Sequence, residues 1–430
     1  MLGYKIKKWR VGDYYWLLTL LILAFVGSND GFDDYPLVIF HIYGAKYIYQ
    51  LMITAFFLGL ICISKKSVSV DIVFFLLLAK SGLDFFSSYM VNGVDFQSNW
   101  YFFICTDLGV VFYFLCYNIQ YDLKRIVACY RVFAIILSFQ VFAVFLYYAG
   151  AGMLISDEAY KGSMRIPFAA SNVIASAIIP AVLCIFCTQH KKKIIGVLEI
   201  LIYMFALVLL KSRGAILIFA ILAEIYIILL IFKIKNIMNR WIVGTLFILL
   251  NMLGVWIILH SSFFYTYFGG FRGFSSLNDI TSRRVEVWQY SLEEFFKKPI
   301  FGRGLYYDET NFIGSTGSHN IILETLMNCG IASAILHICI IVKLLWTNVR
   351  NIVSRKVSFH RINQARLSIV VVLVTLYANS MIEASYYNYI NDVIFWSLAG
   401  FLKRDWIESA SCEMMVGHKE ETMGYLEAKR

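Results

Sequence analysis

Between Gly302 and Gly330 the chain reads GRGLYYDETNFIGSTGSHNIILETLMNCG, a glycine-rich approach that brings one histidine, His319, to the start of an apolar run. Ser318 is expected to cap the helix that follows, with His319 in its first turn. The positive end of a helix and neighbouring arginines both disfavour a protonated ring. Such an imidazole keeps a nitrogen free to take a proton from a hydroxyl near neutral pH. The competing reading of the same spacing is a solvent-facing histidine beside a cap. Arg283, Arg284 and Arg303 lie in the same polar stretch. Guanidinium forks donate paired hydrogen bonds to phosphate and never lose their charge. A neutral base with cationic clamps describes group transfer from an activated phosphate donor to an alcohol.

The elements that must hold these residues are membrane helices. The chain has 430 residues, 60% of them hydrophobic and 15% charged, against about 25% charged in a globular protein. Apolar runs near the roughly 20 residues needed to cross a bilayer recur along almost its whole length, and no alternating strand pattern accompanies them. The expected fold is an all-α integral membrane protein of about twelve transmembrane helices, centred on Leu20, Leu51, Leu77, Val110, Leu137, Ala177, Tyr203, Leu222, Leu249, Leu336, Leu373 and Phe395. One long extracytoplasmic loop carries an amphipathic helix. The divisions are 1–260 for the N-terminal helices, 261–319 for the loop, 320–404 for the C-terminal helices and 405–430 for a polar tail. The first apolar segment lacks a small-x-small cleavage site and reads as a retained span.

Charge orients these spans. The formal net charge of +10 resides mostly in short loops, including Lys5 to Arg10, Lys65-Lys66, Lys124-Arg125, Lys191 to Lys193 and Lys403-Arg404. The positive-inside rule assigns those loops to the cytoplasm, together with both termini, and no nucleic-acid partner is implied. A second set of cations falls on the outer side: Lys161, Arg165, Lys211, Arg213, Arg272, Arg283, Arg284, Lys297, Lys298 and Arg303. Arg213 sits in the tight hairpin Lys211-Ser212-Arg213-Gly214, where it either contacts an anion or snorkels to headgroups. Asp279 to Lys298 reads as the amphipathic helix, with Val285, Trp288, Leu292 and Phe295 on one face and Pro299 as its stop. Arg283 and Arg284 fall in its first turn, where cations oppose the helix dipole unless an anion binds among them.

Three short pieces in this order resemble the bacterial O-antigen polymerases and the related O-antigen ligases. They are Ser212-Arg213-Gly214-Ala215, then Ser282-Arg283-Arg284-Val285-Glu286-Val287-Trp288 with Pro299 and Gly302-Arg303-Gly304, then Ser318-His319-Asn320 running into Leu323-Glu324 and Gly330. The resemblance implies a membrane glycosyltransferase in the bacterial cytoplasmic (inner) membrane, with its site on the outer face. It implies an undecaprenyl-diphosphate-linked glycan donor and acceptor, transfer with inversion, and no metal or other cofactor. By that likeness Arg213 and Arg284 match the arginines that meet the donor diphosphate, Arg284 standing four residues before Trp288. His319 matches the histidine near the acceptor. Arg283, Arg303, Asn320, Arg165 and Glu383 form the candidate substrate-binding set. Membrane lipid and a chain-length regulator protein are the further expected partners. A polymerase of surface polysaccharide repeat units is the favoured activity, and a ligase moving polymer onto a lipid A core is the alternative.

Other groups point elsewhere. Cys184 and Cys187, with His190 beyond, have the spacing of half a zinc site but lie in an apolar span, where thiols pack as small hydrophobes. Lys80 and Asp84 are placed to neutralise each other on one helix face. With Lys46, Asp107, Glu199 and Glu224 they keep open a different class of function, a flippase or transporter for lipid-linked oligosaccharide. That reading calls for internal repeats and paired broken helices, and the sequence shows neither.

Overall fold

The computed structural model describes residues 8–27, 46–64, 68–92, 107–153, 155, 158–187, 193–232, 234–261, 284–305, 318–354, 361–382 and 392–408. Over these the regular elements are helices, and Arg165 forms an isolated antiparallel bridge with Ala170. They run α1 Val11–Phe25, α2 Lys46–Ile63, α3 Ile72–Asn92, α4 Gly109–Asn118, α5 Leu123–Gly150, α6 Glu158–Ser163, α7 Ser171–Cys187, α8 Lys193–Leu210, α9 Arg213–Phe232, α10 Ile237–His260, α11 Arg284–Lys297, α12 Ile321–Ser354, α13 Arg361–Ser380 and α14, residues 392–408.

Each of the twelve expected span centres falls within a helix. Four helical segments are long and apolar enough to cross a membrane, namely Ile72–Val91, Leu123–Gly150, Ile237–Ile257 and Ile321–Ile352, and six more are apolar but shorter. The chain is thus an all-helical protein of multi-pass membrane character, with fewer full-length spans among the described residues than hydropathy suggests.

The main packing pairs are α7 with α13, α3 with α12, and α5 with α1 and α8. Between them lies a core with many buried aromatic rings, including Tyr15, Trp16, Phe112, Tyr130, Phe133 and Phe401. Helix α10 is the exception: none of Ile237–Ile257 is buried against protein. A helix apolar on every side without protein cover is suited to lipid.

Buried polar contacts identify two ends of the bundle. At one, Asp13 accepts from Arg125 at 3.0 Å and from the Asp122 amide at 2.7 Å, and Lys403 pairs with Asp71 at 3.5 Å. At the other, Lys46 donates to the carbonyls of Pro167 and Phe168, both at 2.6 Å, and Lys211 to that of Ile155 at 2.8 Å. Asn320 donates there to Met381 O at 3.2 Å. The thiol of Cys184 donates to Ser368 O at 3.5 Å and fixes α7 antiparallel to α13, so these cysteines serve packing. Lys124, Arg125 and Lys403 therefore lie opposite the end that holds Arg165, Arg213, Arg303 and His319.

One break in regular structure shapes the second end. Gly330, inside α12, has φ 79° and ψ −176°, a region essentially closed to other residues. The break lets residues 299–304 lie directly on the helix backbone. Ile331 N donates to Pro299 O at 2.9 Å, Arg303 N to Met327 O at 2.9 Å, and Gly304 N to Asn328 O at 2.9 Å. A Cβ on Gly330 would stand 2.1 Å from Ile300 O, and one on Gly302 would stand 2.5 Å from the Asn328 carbonyl carbon. Gly330→Ala is expected to expel this strand from α12. Backbone strain alone costs about 1–3 kcal/mol, and the displaced hydrogen bonds add to it. A lowered melting temperature and faster proteolysis near Pro299 would show the effect, whereas unchanged melting would refute the close approach.

Helix α11 packs against α12 through a face other than the one its apolar spacing suggests. Val287 and Ser291 are buried, while Val285 and Leu292 are each 38% exposed. Periodicity finds an apolar stripe but cannot tell whether protein or lipid covers it. Its expected beginning, Asp279 to Arg283, lies outside the described residues, as does the chain from 409 onward.

Candidate functional site

Among the described residues two that are not glycine have a left-handed backbone, Lys211 at φ 49° and His319 at φ 53°. Lys211 immediately precedes Ser212-Arg213, and His319 is itself a candidate. Such conformations cost of order 1–3 kcal/mol and persist only where surroundings enforce them.

For His319 the enforcing contacts are visible. The helix does not start where the sequence suggests: Asn320, not Ser318, is the cap. Its Oδ1 accepts from Ile322 N at 3.0 Å and Leu323 N at 3.1 Å, a contribution of about 1 kcal/mol. Ser318 Oγ instead donates to Asn320 O at 2.7 Å and accepts from Asn320 N at 3.2 Å. His319 therefore sits one residue before the cap, on a tight turn. Asn and Ser both cap well, so their nearness in sequence left the register ambiguous by two residues.

Below this turn a buried chain of polar contacts leads away from the histidine. Ser318 N donates to the Glu324 carboxylate, which is 2% exposed. Glu324 Oε1 accepts from Asn328 Nδ2 at 3.2 Å, and Asn328 Oδ1 accepts from Arg303 Nε at 2.9 Å. Arg303 also donates to the Tyr290 hydroxyl at 3.4 Å. The docked strand is held from the other side by α3, where Ser87 donates to Phe301 O and Ser88 Oγ accepts from Leu305 N at 3.1 Å. Arg303 thus links α11, the strand and α12. Its guanidinium works within the protein, which reduces what it can offer a substrate.

The remaining candidates are distributed as follows. Arg213 opens α9, is exposed, and has no hydrogen-bond or ion-pair partner among the described residues. Ser212 beside it buries a hydroxyl without a partner. Arg284 is half-buried in the first turn of α11. Arg165 donates to Gly162 O at 3.1 Å in the loop before α7. Arg283 and Glu383 lie outside the described residues. The hydrogen-bonded network joins Asn320 and Arg303 to the His319 turn, and Arg213 is not part of it.

Sequence reasoning missed the supporting residues Glu324, Asn328, Tyr290, Ser87 and Ser88. Glu324 and Asn328 stand four apart in an otherwise apolar helix start, a signal for buried hydrogen bonding. Nothing in sequence could have linked them to α3. Chemically, the arrangement presents an imidazole on a turn before a helix N-terminus, at the end of the bundle that also carries Arg213, a cation with no partner among the described residues. It suits withdrawal of a proton beside an anionic group.

Residues 198–338 match a family model, Wzy_C, described as O-antigen ligase. The matched stretch begins in α8 and ends in α12, and it contains Arg213, Arg284, Arg303 and His319. No curated protein matches the chain.

Proposed function

Since the chain carries a domain of the O-antigen ligase and polymerase family, whose enzymes are membrane glycosyl transferases acting on lipid-linked glycans, we propose that it polymerises undecaprenyl-diphosphate-linked repeat units of a surface polysaccharide. The reaction takes place on the outer face of the cytoplasmic membrane. The observation that carries this reading is the His319 turn, a histidine fixed in a left-handed backbone one residue before a capped helix.

His319 takes the proton of the acceptor hydroxyl as its oxygen attacks the anomeric carbon of the donor sugar. The bond from that carbon to the diphosphate oxygen breaks on the opposite face, which inverts the configuration. Undecaprenyl diphosphate leaves with the electron pair, its growing charge met by Arg213 and Arg284. Asn320, Arg165, Arg283 and Glu383 contribute to substrate binding, and Arg303 acts mainly by tying residues 299–304 to α11 and α12. No metal is needed in this scheme, because the arginines supply the charge. A chain-length regulator would act on this enzyme from outside.

The family description, O-antigen ligase, favours a second reading, transfer of finished polymer to a lipid A core. Glycan profiling of a deletion strain separates the two. Loss of polymerisation leaves single repeats attached to the core. Loss of ligation leaves the core bare while lipid-linked polymer accumulates, and that result would replace the polymerase reading.

A further inference from the structure

Beneath the His319 turn, the bundle gathers a cluster of charge, most of it buried. Lys80 and Asp84 stand on α3, Asp107 two residues before α4, His337 on α12 and Asp392 at the start of α14. Lys80 Nζ donates to Asp84 Oδ2 and, at 3.2 Å, to Asp107 Oδ1. The other oxygen of Asp84 accepts from the Ser333 hydroxyl of α12, and Ser81 donates to Asp107 O at 3.2 Å. Lys80 is 5% exposed, Asp84 0% and Asp107 4%. One ammonium faces three carboxyl groups.

Lys80, Asp107, His337 and Asp392 line a cavity of about 40 Å³, together with Ile321 and Ser380. That volume holds roughly three waters and cannot take a sugar ring or a diphosphate. Two polar atoms of its lining are buried without a hydrogen-bond partner, Nε2 of His337 and Oδ2 of Asp392. The His337 side chain is fixed by its stack on Tyr377, with ring centroids 6.0 Å apart.

These observations constrain the occupant. With one ammonium shared by Asp84 and Asp107, an ionised Asp392 would leave two net negative charges around a small cavity within the bundle, which is costly. Lys80 is already engaged by Asp84 and Asp107, and its ammonium repels a second metal cation. A proton solves both problems. On Asp392 it removes the excess charge and turns an acceptor into a donor, and the neutral imidazole nitrogen is the matching acceptor.

We propose that this cavity is an intramembrane proton-binding site, in which Asp392 carries a proton and shares it with His337 directly or through cavity water. The titratable groups around it are Lys80 and Asp84 on α3, Asp107 before α4, Cys329 and His337 on α12, Tyr377 on α13 and Asp392 on α14. The bound proton lets α14 pack against α3 and α12 beneath the turn that carries His319. The inference does not depend on which glycan the enzyme transfers.

Infrared spectroscopy of the full-length protein in lipid nanodiscs tests it. A neutral-carboxyl stretching band is expected at neutral pH in the wild type and should vanish in Asp392→Asn. His337→Gln should shift its frequency by changing the hydrogen-bond partner. Sodium added at fixed pH should leave the band in place. Absence of the band from the wild type, or its persistence in Asp392→Asn, would overturn the proposal. Loss of the band on adding sodium would overturn it too, identifying a metal-cation site instead. Asn has the shape of a protonated Asp, so that variant should fold; if it is not recovered, the His337→Gln shift decides.

Discussion

His319→Ala is expected to lower glycosyl transfer by about 10²–10⁴-fold, the range for loss of a general base, with the protein still inserted in the membrane. Alanine also disturbs a left-handed backbone, so the comparison with His319→Asn matters. Asparagine tolerates positive φ but cannot accept the proton of an alcohol as a base does. Both variants should therefore stop chain growth, and only Ala should also loosen the turn. The measurement is polymer length on surface glycan, with membrane abundance followed in parallel. Normal polymer in His319→Asn would assign the residue a backbone role and remove the base from the mechanism.

Arg284→Ala is the second large effect, an expected loss of about 10²–10³-fold, the range for removing one donor to a developing anion. Arg284→Lys should recover only part of it, because a point charge lacks the paired donor geometry of the guanidinium. The residue opens α11, where a cation opposes the helix dipole. Removing it should leave melting temperature unchanged or slightly raised while activity falls. This divergence separates an anion contact from a structural one. A fall in stability matching the fall in activity would show that Arg284 supports the fold of α11, leaving Arg213 to meet the leaving group without it.

Much of the molecule was legible in its sequence for a simple reason. A bilayer admits a chain of this composition chiefly as helices, and all twelve expected centres fall within helices. The stretch from Gly302 to Gly330 stands out in the sequence as a candidate site, because glycines, a histidine and a polar helix start are rare among apolar spans. Less legible was the start of α12. The face of α11 that packs was hidden as well, since Leu292 and Val287 look alike to any periodicity. The capping residue was confused because Ser318 and Asn320 are both good caps, and only the direction of the backbone at His319 distinguishes them.

The sequence by itself determined that the chain is helical and apolar, and it nominated His319 and a few arginines as candidates for its chemistry. Those properties belong to single residues and their neighbours along the chain. Tertiary structure alone decided that Arg303 binds Asn328, that Glu324 holds the turn before His319, and that Lys80, Asp107, His337 and Asp392 share one cavity. The Arg303 contact and the cavity join side chains that are far apart along the chain. Hydrogen bonds and burial depend on distance in space, which local sequence spacing does not specify.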